Sequence, residues 1–184
     1  MDIRPTAIAD VLELVPKRHG DSRGWFSEVT NKRTLASVGI EVEWIQDNES
    51  FSAQQGTIRG IHFQIAPNAQ HKLIRVVSGS ILDVAVDLRR DSPTFAKHTA
   101  ITLTAAEGNQ VFLPAGFGHA FCTTTHDCLI AYKVAGSYYA PESERNIAWN
   151  DPAFGINWPV TEEEVELSAK DRTAPLIADA PDLF

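Results

Sequence analysis

The chain has 184 residues, enough for one domain spanning 1–184 with a sizeable core. Its hydrophobic content of 43% and charged content of 22% are those of a globular protein, and a net charge of −8 without any block of Lys or Arg argues against nucleic acid as a partner. No run of about 18 apolar residues offers a membrane span, and the start, MDIRPTAIADVLELVPKRHGD, has no long apolar segment behind a basic end. No signal peptide and no membrane partner are therefore expected, and a cytoplasmic location is.

In chain order, NKRTLASVG at 31–39 predicts a short helix ended by Gly39. β-rich runs then recur between turn signals: TIRGIHFQI, KLIRVVSG, SILDVAVDLRR, KHTAITLT, NQVFLPAG, HAFCTTT and CLIAYKVAG. Their spacing predicts an antiparallel barrel or sandwich. In SILDVAVDLRR, Leu82, Val84, Val86 and Leu88 form a core face. Ile81, Asp83, Ala85 and Asp87 point the other way, to solvent or to a polar lumen. TEEEVELSAKD predicts a second helix, with Thr161 and Glu164 at capping-box spacing, and the tail beyond it is expected on the surface. Cys122 and Cys128 allow a disulfide, but two buried thiols suit a cytosolic protein better. His71, His98 and His126 lack a supporting pattern and read as surface residues, while Trp25, Phe26, Trp149 and Trp158 read as core or interface.

Two stretches carry chemistry. GTIRGIH sets a Gly six positions before His62, and GNQVFLPAGFGH fixes Gly108, Pro114, Gly116 and His119 together. Both resemble the paired motifs of the cupin superfamily, a jelly-roll barrel; the second is the more specific. Metal-binding cupins continue the first motif as His-x-His and then a Glu ahead of a Gly. Here Gln64 stands for the second His, and Lys72 stands seven residues before Gly79, at the Glu position. An ammonium has three donors and no lone pair, so it cannot ligate a metal. It can stabilise an oxyanion instead. A histidine base, a lysine and no metal suit proton removal next to a carbonyl, where the charge moves to the enolate oxygen. Tyr132 in CLIAYKV is a candidate acid for returning the proton, helped if a cation such as Lys72 lowers its pKa from about 10.

RGIHFQ, QHKLIRVVSGSILDVAVDLRRDSPTF, LPAGFGHAF, YKV, YYAPESE, WNDP and LSAKD together resemble the nucleotide-sugar 3,5-epimerase family of the cupin superfamily. The resemblance covers nearly the whole chain. It implies an all-β cupin-type jelly-roll barrel with short peripheral helices, a homodimer, and no cofactor or metal. It implies inversion of carbons 3 and 5 of a dTDP-linked 4-keto-6-deoxy sugar on the way to a rhamnose precursor for polysaccharides. By motif, His62 resembles the catalytic base, Asp171 its orienting carboxylate, Lys72 the enolate stabiliser and Tyr132 the proton donor. Arg23, Glu28, Gln46, Asp47, Asn48 and Arg59 resemble contacts to the nucleotide sugar, as do His119, Glu144 and Lys170. Two departures stand out. His19 occupies a place where the family often has an aromatic residue, and YKVAGSYY is one residue longer than the usual run to the Tyr pair.

Blander readings compete. A strand histidine is commonly structural, Lys72 suits an exposed strand, and Tyr132 suits a core with a bonded hydroxyl. A single-centre epimerase or a sugar-nucleotide 3,4-ketoisomerase shares much of the pattern. A non-catalytic sugar-nucleotide-binding cupin would bind without proton exchange, and a metal-dependent cupin oxygenase would need a bound metal.

Overall fold

The computed structural model describes residues 1–180 and 182–184. It begins with β1 (Asp2–Pro5), β2 (Leu12–Val15), the hairpin β3 (Arg18–Asp21) and β4 (Gly24–Ser27), and helix α1 (Lys32–Ala36). Then come β5 (Trp44–Ser52), β6 (Ile58–Gln64), β7 (His71–Ser78), β8 (Ser80–Asp87) and β9 (His98–Thr104). β10 (Gln110–Leu113), β11 (Phe117–Thr123), β12 (Cys128–Ala135), β13 (Glu144–Asn146) and helix α2 (Ala169–Arg172) complete the order. The seven β-rich runs of the sequence all become strands. α1 starts on Asn31, whose side chain accepts from Arg33 and Thr34 N–H, and closes before Gly39, which takes φ +84°.

Two antiparallel sheets, β1-β2-β10-β7-β12-β5 and β13-β6-β11-β8-β9, face each other as a jelly-roll barrel. Ile74, Val76, Val111 and Ile130 from the first meet Ile81, Ala85, Leu103 and Phe121 from the second. Ile81, Asp83 and Ala85 thus line the interior, and the polar-lumen alternative for this face is the one the fold adopts. Val84, Val86 and Leu88 are also buried, under a second core built with Ile61, Phe63, Ile147 and Phe154. With both faces of β8 covered, burial alone could not tell them apart.

Two expectations are corrected. The stretch 161–171 is not one helix. Thr161 and Glu164 form a single capped turn, with Thr161 N–H donating to Glu164 Oε2. The chain then extends, and Glu166 exchanges backbone hydrogen bonds with Gly56 and Ile58. The tail runs over the surface, as expected, and is anchored there: Ile177, Leu183 and Phe184 pack on the second core, and Arg90 N–H donates to Phe184 O at 2.9 Å. Trp25 and Phe26 are not core; they stand exposed on the β3–β4 hairpin, which leaves the interface alternative for them. Trp149 is buried and Trp158 donates to its carbonyl at 2.8 Å, as expected of core residues. The second correction concerns His71 and His98, which are not surface residues but half-buried with partners, Ala115 N–H and Phe154 O, while His126 is exposed as expected. Cys122 and Cys128 are buried free thiols. Among the described residues, no helix is long and apolar enough to cross a membrane.

Candidate active site

Strand alternation aims His62 into the barrel from β6 and sends Ile61 and Phe63 outward into the second core. His119 on β11 is its direct cross-strand partner. Gly60, two residues earlier, lets the strands approach: a Cβ there would sit 2.5 Å from His119 O, and its φ is +125°. From the opposite sheet, β7 contributes Lys72 and β12 contributes Tyr132. All four line a cavity of about 540 Å³ together with Arg59, Phe121, Ser168 and Asp171. His62, Lys72 and Tyr132 also border an adjoining lobe of about 340 Å³, walled by Gln46, Asn48, Gln64, Tyr139 and Glu144.

Asp171 arrives by a local device. The Glu166 bridge ties the incoming chain to the start of β6, the strand that carries His62. Ser168 then caps α2 by accepting from Asp171 N–H at 3.1 Å, and its hydroxyl donates to Asp171 Oδ2 at 2.8 Å. The other carboxylate oxygen lies 2.5 Å from His62 Nε2. Burial pushes the Asp171 carboxyl up, but the hydrogen bond and charge of His62, with Ser168 and Lys170, outweigh it and hold the group below its ordinary range. An ionised carboxylate at Nε2 keeps the ring proton there and leaves Nδ1 with the lone pair.

Burial pushes the Lys72 ammonium down to about 8, against the opposing pull of Asp83 and Glu144. It therefore stays charged at neutral pH. Burial raises the Tyr132 phenol, and the cation that partly offsets this is Arg59, not Lys72. Tyr132 is thus a protonated donor at neutral pH. Arg59 is held in place by Phe51 O at 2.9 Å and Ser52 Oγ at 3.3 Å. Gln64, at a position where metal-binding cupins hold a ligand, has its amide taken up by the 138–140 loop. It donates to Asn68 O and Tyr138 O and accepts from Ala140 N–H. Among the described residues, no three His, Cys, Asp or Glu side chains converge as a metal ion needs.

The other expected contacts divide into two groups. Gln46 donates to Asn48 at 2.9 Å, and both face the second lobe. Glu144 pairs with Lys170 at 2.8 Å and accepts from the Tyr139 hydroxyl at 3.1 Å, at the edge of that lobe. Asp47, one residue out of phase on β5, faces outward and pairs with Lys133. Arg23 lies on the exposed hairpin, paired with Asp21, and Glu28 follows that hairpin into a groove on the outer sheet face. This chain therefore does not bring Arg23, Glu28 or Asp47 to its own cavity. Sequence reasoning passed over Ser168 and Asp83. The S-x-x-D spacing signalled the first. Asp83 lay on the face left open between solvent and lumen; it is buried, with Oδ2 at 2.8 Å from His119 Nε2.

The family model described as dTDP-4-dehydrorhamnose 3,5-epimerase matches residues 5–179. The chain belongs to the dTDP-4-dehydrorhamnose 3,5-epimerase family. The relative of that name from Salmonella typhimurium is 46% identical over 181 residues, covering 98% of this chain and 97% of its own. Within the family, a crystal structure from Bacillus anthracis with TDP and PPi bound superposes with a TM-score of 0.92 at 44% identity, covering 96% of this chain and 99% of that one. A dTDP-6-deoxy-D-glucose-3,5-epimerase from Legionella pneumophila, in complex with dTDP-4-keto-L-rhamnose, gives 0.89 at 40% identity, covering 95% and 92%.

Proposed function

We propose that this chain is an isomerase that inverts carbons 3 and 5 of dTDP-4-keto-6-deoxyglucose to give dTDP-4-dehydro-L-rhamnose. The observation that carries the reading is the convergence of a His–Asp pair, a lysine and a tyrosine on one cavity from both sheets. Both carbons flank the 4-keto group, so each C–H proton can leave with its electron pair delocalised onto the C4 oxygen. His62 takes the proton, and Asp171 holds the ring and stabilises the imidazolium that forms. Lys72 faces the enolate oxygen as a cation and supplies the stabilisation a metal would otherwise give. Tyr132, on the opposite wall, returns a proton to the other face of the carbon, which inverts it.

Arg59, His119, Gln46, Asn48, Glu144 and Lys170 surround the reacting sugar and its diphosphate in this reading; an arginine fork suits two phosphate oxygens. Arg23, Glu28 and Asp47 lie off the cavity of their own chain. A homodimer accounts for the first two: the exposed hairpin with Trp25 and Phe26 reaches a second copy and delivers Arg23 and Glu28 to its nucleotide. Two buried free thiols suit a cytoplasmic enzyme making a sugar precursor for polysaccharide synthesis.

The test is proton NMR and mass spectrometry of dTDP-4-keto-6-deoxyglucose incubated in deuterated water with chelator-treated enzyme. Deuterium at carbons 3 and 5 with formation of the inverted sugar is expected. Deuterium at one carbon reassigns the chain as a single-centre epimerase, and no exchange by folded protein removes the reading.

A further inference from the structure

The cavity holds a second histidine–carboxylate pair that the proton-transfer scheme does not use. His119 Nε2 lies 2.8 Å from Asp83 Oδ2, and the two side chains are 12% and 1% exposed. The pair sits beside the catalytic one, because His119 is the cross-strand neighbour of His62. A buried carboxylate is costly unless it serves a charge or a donor. Asp83 has both: it holds His119 through its hydrogen bond, and its charge favours the Lys72 ammonium. Among the described residues, Lys72 makes no ion pair of its own.

We propose that Asp83 is a positioning residue of this site, fixing the His119 ring against the substrate and supplying the counter-charge that keeps Lys72 an ammonium facing the enolate oxygen. The acids acting on Lys72 are Asp83 from β8 and Glu144 from β13. Asp83 exerts the stronger pull of the two, and Glu144 is also paired with the cationic Lys170. The remaining titratable or charged groups lining the two lobes around Lys72 are His62 and Arg59 on β6, His119 on β11, Tyr132 on β12, Tyr139 at the second lobe, Glu166 in the segment bridged to β6 and Asp171 on α2. Arg59 works against the ammonium and Asp171 is matched to His62, so neither replaces Asp83.

The inference rests on the epimerase reading, and wild-type turnover is its control. Lys72 loses its proton as pH rises through about 8, so wild-type kcat falls there. Removing the Asp83 charge disfavours the ammonium and moves this alkaline limb to lower pH. The loss in Asp83→Asn is therefore greater at pH 8 than at pH 6.5. The experiment is kcat and KM between pH 6 and 9 for wild type, Asp83→Asn and His119→Gln, with circular dichroism to confirm folding. His119→Gln keeps the carboxylate, so its KM rises while its limb stays where the wild type has it. A limb unmoved in folded Asp83→Asn, with kcat lowered equally at every pH, overturns the proposal in favour of a purely structural carboxylate. So does a limb that moves in His119→Gln, which still decides the matter if Asp83→Asn fails to fold. If wild type itself does not turn over the sugar, the epimerase reading fails instead.

Discussion

Asp171→Asn isolates the contribution of one charge to proton abstraction. The substitution keeps the shape of the side chain and the Ser168 cap on the Asp171 backbone N–H. It removes the carboxylate 2.5 Å from His62 Nε2, where the acid is 3% exposed and its partner 30%. A hydrogen bond to a charged group contributes about 1.5–3 kcal/mol. The imidazolium exists only once the proton has moved, so the loss falls on the transition state and on kcat. At about 1.4 kcal/mol per decade, kcat drops roughly tenfold to just over a hundredfold. An asparagine amide donating to Nε2 also selects the wrong tautomer, which pushes the loss toward the upper end. The assay is steady-state kcat alongside the rate of deuterium entry at carbons 3 and 5, with a thermal melt as control. A folded Asp171→Asn within twofold of wild type, when His62→Ala is inactive, refutes the orienting role.

Two further predictions concern the scaffold. Gly60→Ala puts a Cβ 2.5 Å from His119 O and 2.6 Å from Ala120 Cβ at φ +125°, and costs about 2 kcal/mol or more. At 184 residues this lowers Tm by roughly 4–8 °C, read by calorimetry; an unchanged Tm contradicts the close approach of β6 and β11. The buried Asp87 carboxylate binds Arg89 twice, at 2.7 and 2.9 Å, and accepts from Ser92 and Thr94 at 2.6 Å. Burial pushes it up, yet Arg89 and the two hydroxyls hold it far below the carboxylate range. Its folded pKa is depressed, so its stabilisation is present above about pH 4 and is lost as pH falls further. With Arg89 one-third exposed, Asp87→Ala costs about 3 kcal/mol at pH 7, near the lower bound for breaking a buried pair. Melts at pH 7 and pH 3 show the gap to wild type narrowing in acid; a constant gap contradicts the depressed pKa.

The strands were legible because alternation and turn residues mark them locally. His62, Lys72 and Tyr132 were legible because they interrupt apolar runs at motif positions. What stayed hidden depends on partners distant in the chain. The 161–171 stretch carries a sound local helix start, but Glu166 gains two backbone bonds to the start of β6, which no local pattern reveals. Asp83 was ambiguous because both faces of its strand are buried, one in the lumen and one beneath the C-terminal segment. The tail's anchoring was hidden because Ile177 and Phe184 are isolated apolar residues whose partners lie in β6 and β8. Arg23 carried a motif without a location; the fold sets it on an arm away from its own cavity.

The central claim is that base and acid act from opposite walls of one barrel, and Tyr132→Phe in deuterated water tests it most directly. The reading predicts that His62 still removes and returns protons on its own side. Deuterium then enters next to the keto group with configuration retained, while inversion is lost. If Tyr132→Phe inverts the sugar at the wild-type rate, the donor lies elsewhere and the two-walled mechanism is wrong.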